Sequence, residues 1–131
     1  MSIITVKHDE GGRYMATLGD YSVFAGQAED NPERNNMRPG QLFVAALGMC
    51  TLGDILPFCE RHDIPPESIT VELEVERSGK PARAKSVSVM IKVSQELPKT
   101  YEQAILRAAE QCYVRQSITH GVEVKPSISS G

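Results

Sequence analysis

Aromatic side chains are scarce in this sequence: three Phe, four Tyr and no Trp. Binders of single-stranded nucleic acid stack bases on such rings, so that class is disfavoured. Excess positive charge is also lacking. Lys and Arg number 14 against 17 Asp and Glu, a net charge of -3, which argues against a phosphate-backbone partner. No N-terminal stretch has the basic-then-apolar layout of a signal peptide, and no apolar run approaches the ~20 residues of a membrane span. A cytoplasmic protein with neither nucleic acid nor membrane as partner is the expectation. Phosphate loops, zinc-protease motifs and nucleophile elbows are absent as well, and no cofactor is expected. There are only three cysteines, an odd number, which makes a disulfide framework a poor reading. Redox or catalytic use of the thiols is the better one.

What is present fits a single domain over residues 1–131. Ile3–His8, Arg13–Leu18 and Tyr21–Ala25 read as short strands separated by Asp9-Glu10-Gly11-Gly12 and Gly19-Asp20, both turn-forming clusters. A polar stretch from Gly26 to Pro39 reads as a loop. Pro39 then opens a helix over Gln41–Cys59 whose apolar residues cover nearly every face, so burial on most sides is expected. Pro57 removes the hydrogen bond to the Gly53 carbonyl and predicts a kink, and Pro65-Pro66 stops the helix. Ile69–Arg77 and Ala84–Ser94 alternate apolar and polar residues, which predicts a half-buried hairpin turning near Gly79 and Pro81, with glutamates of the first strand facing Lys85 and Lys92. Thr100 and Gln103 make a capping box for a second helix with Cys112 on its inward stripe at the end, and Gly121–Lys125 reads as a closing strand. The order gives an α+β fold.

Cys50 lies in the most apolar segment, in mid-helix. Free cysteine is among the most buried residue types, so taken alone Cys50 reads first as packing. A reactive thiol must ionise, an apolar face opposes that, and the helix dipole is too far away to help. A cation is therefore needed, and Arg13, Arg34 and Arg38 are candidates. Two inward thiols on separate helices, Cys50 and Cys112, could carry peroxide chemistry, in which one forms a sulfenic acid and the other condenses with it. Cys59, nine positions after Cys50, points to the opposite side of a regular helix. It forms a Cys-x-x-His with His62, but no second pair of matching spacing exists, so no metal is expected. His8 and His120 read as surface side chains.

Arg38-Pro39-Gly40-Gln41-Leu42-Phe43-Val44-Ala45-Ala46-Leu47-Gly48-Met49-Cys50-Thr51 resembles the central-helix signature of the OsmC/Ohr family. Cys112-Tyr113-Val114 resembles that family's second motif, in which Cys is usually followed by Pro-Val, and Gly11-Gly12-Arg13 looks like its Gly-Gly-Arg turn. The resemblance implies an antiparallel sheet wrapping a long central helix in an intertwined homodimer. It further implies reduction of hydroperoxides, often organic, with Cys50 attacking, Cys112 resolving through a disulfide, a dithiol reductant restoring the pair, and Arg13 holding the thiolate. Where the family has a Glu paired with that arginine, this sequence has Gly40 and Gln41. The Arg–carboxylate clamp is therefore either missing or replaced by Glu29, Asp30 or Glu33 of the loop, and Gln41 and Arg38 are second-rank site candidates.

Two rivals remain. A hot-dog-fold thioesterase would need a carboxylate or Asn near the helix start, where only Gln41 stands. A non-catalytic dimer binding a small apolar ligand between its helices would keep the thiols as packing.

Overall fold

The computed structural model describes residues 3–131. Its elements run β1 (Thr5–Glu10), β2 (Gly12–Leu18), β3 (Tyr21–Gln27), α1 (Pro39–Arg61), β4 (Ile69–Gly79), β5 (Ala82–Val93), α2 (Lys99–Ala109) and α3 (Tyr113–Thr119). The class is α+β, with antiparallel sheets and a long helix. Two compact units divide the chain, Met1–Ala45 and Ala46–Gly131, and the division falls inside α1.

In the first unit, β1-β2-β3 form an antiparallel meander. The β1–β2 turn uses Gly11 at φ +52, next to a register shift between His8 and Glu10. Gly26, at φ +91, cannot be replaced easily: a Cβ there would collide with the Gly12 carbonyl oxygen across the sheet. The loop beyond is closed by Gly26 N–H on the Met37 carbonyl (2.8 Å) and Asn36 N–H on the Gly26 carbonyl (2.9 Å). One helical turn, Pro32–Arg34, interrupts it.

In the second unit, β4 and β5 pair antiparallel from Ile69↔Val93 to Gly79↔Ala82. The alternation read from sequence is realised: Ile69, Val71, Leu73 and Val75 turn inward while the intervening residues face water. On the outer face Lys92 meets Glu72 at 2.8 Å and Lys85 meets Glu76 at 3.4 Å, pairs more than half exposed that contribute little.

Helix α1 buries Leu47, Gly48, Thr51, Ile55 and Cys59. That spacing is a single stripe, since residues three and four apart stack on one face. Burial on most sides is not what the single chain has: Met49 is 62% exposed and Phe43 49%. The stripe lies against the sheet closely enough that a Cβ at Gly48 would come within 2.6 Å of Leu73 Cδ1. Below it Ile55, Cys59, Ile64, Ile69 and Ile105 form the core, with Leu52, Leu56, Phe58, Ile91, Val93, Leu97 and Tyr101 packed around them.

The helix continues four residues beyond Pro57 to Arg61 and is stopped before the prolines are reached. Asp63 takes φ +55, Ile64 N–H bonds the Cys59 carbonyl at 2.8 Å, and Asp63 N–H bonds the Glu60 carbonyl at 3.4 Å. This is a Schellman cap with Asp in the left-handed position, sealed by Ile64 against Cys59 in the core.

Four sequence expectations need correction. Helix α2 begins at Lys99 after Pro98, with no side-chain cap bond, so Thr100 and Gln103 make no capping box. Residues 121–125 form no strand, because Val122 and Val124 are exposed and have no partner strand among the described residues. The segment just before them forms a short helix, α3, that the sequence pattern does not announce. Finally, α1 together with the turn that precedes it (residues 32–61) is, by length and composition alone, long and apolar enough to cross a membrane, with mean hydropathy 1.9 in its most apolar window. The core helix of an α+β domain passes the same test.

Candidate active site

The site is assembled from α1 and the turn between α2 and α3. Cys50, Thr51 and Asp54 project from one side of α1, since Asp54 follows Cys50 by one helical turn. Cys112 does not sit at the end of α2, which stops at Ala109. It sits three residues on, held by its N–H on the Ala109 carbonyl (3.3 Å), and serves as the N-cap of α3. The cap acceptor is its sulfur, which takes the Arg115 N–H at 3.4 Å. Helix N-termini carry N–H groups without intrahelical partners, so a sulfur there gains donors that a sulfur inside a helix lacks. Cys112 is sealed from water at 0% exposure, with Sγ 3.9 Å from the Leu47 carbonyl. Cys50 is half-buried.

The two sulfurs and a carboxylate oxygen of Asp54 all lie within 4.8 Å of one another. Cys50 and Cys112 therefore meet, as two thiols on separate elements must if they are to form one disulfide. Thr51, also buried, bonds its hydroxyl to the Leu47 carbonyl at 2.8 Å.

The two thiols are tuned in opposite directions. A backbone hydrogen bond from Val114 pulls Cys50 down, but its bond to Cys112, burial and the charge of the neighbouring sulfur outweigh it, and Cys50 ends above the ordinary thiol value. Burial pushes Cys112 up. The Arg115 N–H, the Cys50 thiol, the Thr51 hydroxyl and the Val114 N–H outweigh that, and Cys112 ends below. When the pair loses a proton, these partners favour Cys112 as the hydrogen-bond acceptor and Cys50 as the donor.

Cys59 has only its own backbone N–H as a donor, which burial outweighs. It is 1% exposed in the aliphatic core, and desolvation raises its thiol. His62, its partner in the Cys-x-x-His spacing, stacks on Phe58 (centroids 4.1 Å apart) and bonds the Phe58 carbonyl at 3.0 Å. His8 and His120 are exposed, each bonded to a nearby carbonyl.

In the first unit, Arg13 is 8% exposed and lies 4.0 Å over the Phe24 ring. Its carboxylate partner is Asp9, at 2.6 Å, rather than Glu29, Asp30 or Glu33. Asp9 also takes Arg34 at 3.0 Å, and Arg34 reaches Glu10 at 3.0 Å. Gln41 acts locally, its Oε1 accepting the Arg38 N–H at 2.9 Å and closing the start of α1.

A family model described as OsmC-like protein matches residues 30–127, which include all of α1 and both site cysteines. The chain belongs to the OsmC-like family. Solved structures share its fold. A Psychrobacter arcticus protein associated with osmotic stress and detoxification response is 22% identical with TM-score 0.75, over 89% of this chain and 88% of that one. The organic hydroperoxide resistance protein OsmC of Legionella pneumophila is 20% identical (TM-score 0.57; 90% and 88% covered). The organic hydroperoxide resistance protein OhrB of Bacillus subtilis is 19% identical (TM-score 0.56; 93% and 92% covered). No curated protein sequence matches significantly.

Three parts of this OsmC-like site escape sequence reasoning: Asp54, Thr51 and the N–H groups that open α3. The first has a legible signal, a carboxylate at the i+4 position from a candidate thiol in an otherwise apolar helix.

Proposed function

We infer that the protein reduces hydroperoxides with the Cys50–Cys112 pair, in peroxide defence. The observation that carries this reading is the approach of the two sulfurs within 4.8 Å of each other, with a third cysteine kept apart in the core. Relatives of the same fold bear hydroperoxide-resistance names, which supports it.

Cys50 is the attacking thiol because it is the accessible one. In the singly ionised pair the shared proton passes to Cys112, leaving a Cys50 thiolate. That thiolate attacks the O–O bond, becomes a sulfenic acid and expels an alkoxide, which takes the proton from Cys112. The Cys112 thiolate, favoured by its backbone donors, then attacks the Cys50 sulfur and displaces hydroxide to close the disulfide. A dithiol reductant returns the pair to its starting state. The low thiol value of Cys112 suits the second step, where a ready thiolate prevents over-oxidation. The same value also favours a reversed order in which Cys112 attacks. Its complete burial opposes that order, and mass analysis of Cys50→Ser and Cys112→Ser after peroxide treatment identifies the sulfur that is oxidised first.

On the Gly-Gly-Arg resemblance alone, Arg13, paired here with Asp9, is proposed as the cation that holds the Cys50 thiolate. Arg13→Ala should slow alkylation of Cys50 at neutral pH, and equal rates in parent and variant would move the role to Arg38. The reading also includes a homodimer that covers the exposed apolar side chains of α1, such as Met49. The cytoplasm, where thiols are kept reduced, is the fitting compartment. Consumption of cumene hydroperoxide with a dithiol reductant tests the whole. No consumption above the Cys50→Ser background would leave the protein a binding module.

A further inference from the structure

We propose that the reduced thiol pair is also a metal site: Cys50, Cys112 and Asp54 bind one thiophilic divalent cation, of which Zn²⁺ is the type. The three donor atoms already lie within 4.8 Å of one another. Tetrahedral zinc with Zn–S of ~2.3 Å and Zn–O of ~2.0 Å needs donors roughly 3.5–3.8 Å apart, so closure of about an ångström suffices. Two of the donors come from a single turn of α1 and are fixed relative to each other by the helix. The third is fixed by the cap of α3 and by contact with the Leu47 carbonyl, outer contacts of the kind that orient metal ligands.

A separate observation points to a cation. Asp54 Oδ2 is cut off from water and has no hydrogen-bond partner. A buried carboxylate oxygen without a donor is costly, and a metal beside it would satisfy it. Two thiolates and one carboxylate carry three negative charges, which a dication reduces to one. Sulfur donors select Zn²⁺ or Co²⁺ over Mg²⁺ and Ca²⁺. Three protein ligands leave a fourth position open, as in zinc sites that hold water or an exchangeable ligand. Metal and disulfide use the same sulfurs and exclude each other, so the site exists only in the reduced protein.

The test uses the full-length, reduced, metal-free protein titrated with Co²⁺ under anaerobic conditions. Expected are thiolate-to-cobalt charge-transfer absorption and the strong visible bands of a four-coordinate ion, both removed by equimolar Zn²⁺. Asp54→Asn, which keeps the side-chain shape, should weaken Zn²⁺ by at least ~10-fold, the scale on which even outer-shell losses act. Cys59→Ala should bind as the parent does, which controls for folding. Cobalt spectra of an octahedral aquo ion, or equal Zn²⁺ affinity in parent and Asp54→Asn, would overturn the site. Hydroperoxide consumption is a separate readout: a protein that consumes peroxide without binding cobalt loses only the metal site, and the converse loses only the peroxidase reading.

Discussion

Cys59 and Cys112 are both sealed from water, at 1% and 0% exposure, yet their thiols are displaced in opposite directions. Cys59 is surrounded by Ile55, Ile64, Ile69 and Ile105, which offer no donor, and burial raises it. Cys112 suffers the same desolvation but caps a helix and faces a thiol and a hydroxyl, which reverse the sign. Burial alone therefore does not decide whether a cysteine is packing or chemistry; the donors that accompany it do.

The largest effect that would sharpen this comparison is on turnover. Cys112→Ser should stop peroxide consumption after about one cycle and drive Cys50 to the sulfinic state, read by intact mass. Cys59→Ala should leave consumption unchanged. Its cost should be in stability, about 1–3 kcal/mol for a cavity of this size in a filled core, measured by urea unfolding. That cost depends on pH. The folded value of Cys59 is raised, so its contribution is complete below the ordinary thiol value and is lost as pH rises through the folded one. The stability gap between parent and Cys59→Ala should therefore narrow in alkali, whereas a widening gap would contradict the assignment. Cys112, being lowered, has the opposite sign.

A smaller effect tests how the pair is positioned. Gly48→Ala pushes a methyl toward Leu73 Cδ1, the movable end of a side chain, and should cost about 1 kcal/mol, near the low end for overpacking. It should also slow disulfide closure, because Gly48 lies on the same turn of α1 as Thr51. The smallest effect is expected far from the sulfurs: Glu72→Ala removes an exposed pair with Lys92 and should change stability by less than ~1 kcal/mol without touching peroxide consumption.

How far the sequence is legible follows the same division. The β4–β5 hairpin is readable because a period of two with one buried face permits one register, and α1 because its apolar length exceeds any strand. Cys50 and Cys112 are found through the resemblance of their motifs; spacing alone cannot bring together residues so far apart in the chain. Helix α3 is illegible because seven residues with only Val114 and Ile118 strongly apolar carry no clear period. The Val122-Glu123-Val124 alternation mimics a strand but has no neighbour to pair with among the described residues. Asp54 escapes notice because a lone carboxylate in an apolar run reads as a solvated point. Arg13 is expected to need a partner from the loop, whereas the β1–β2 turn folds Asp9 back onto it at four residues' distance.

Peptide mapping of the protein after one equivalent of cumene hydroperoxide tests the central claim most directly. The account predicts an intramolecular disulfide between Cys50 and Cys112 with Cys59 recovered as a free thiol. Cys59 in the disulfide, or no disulfide at all while peroxide persists, would contradict it.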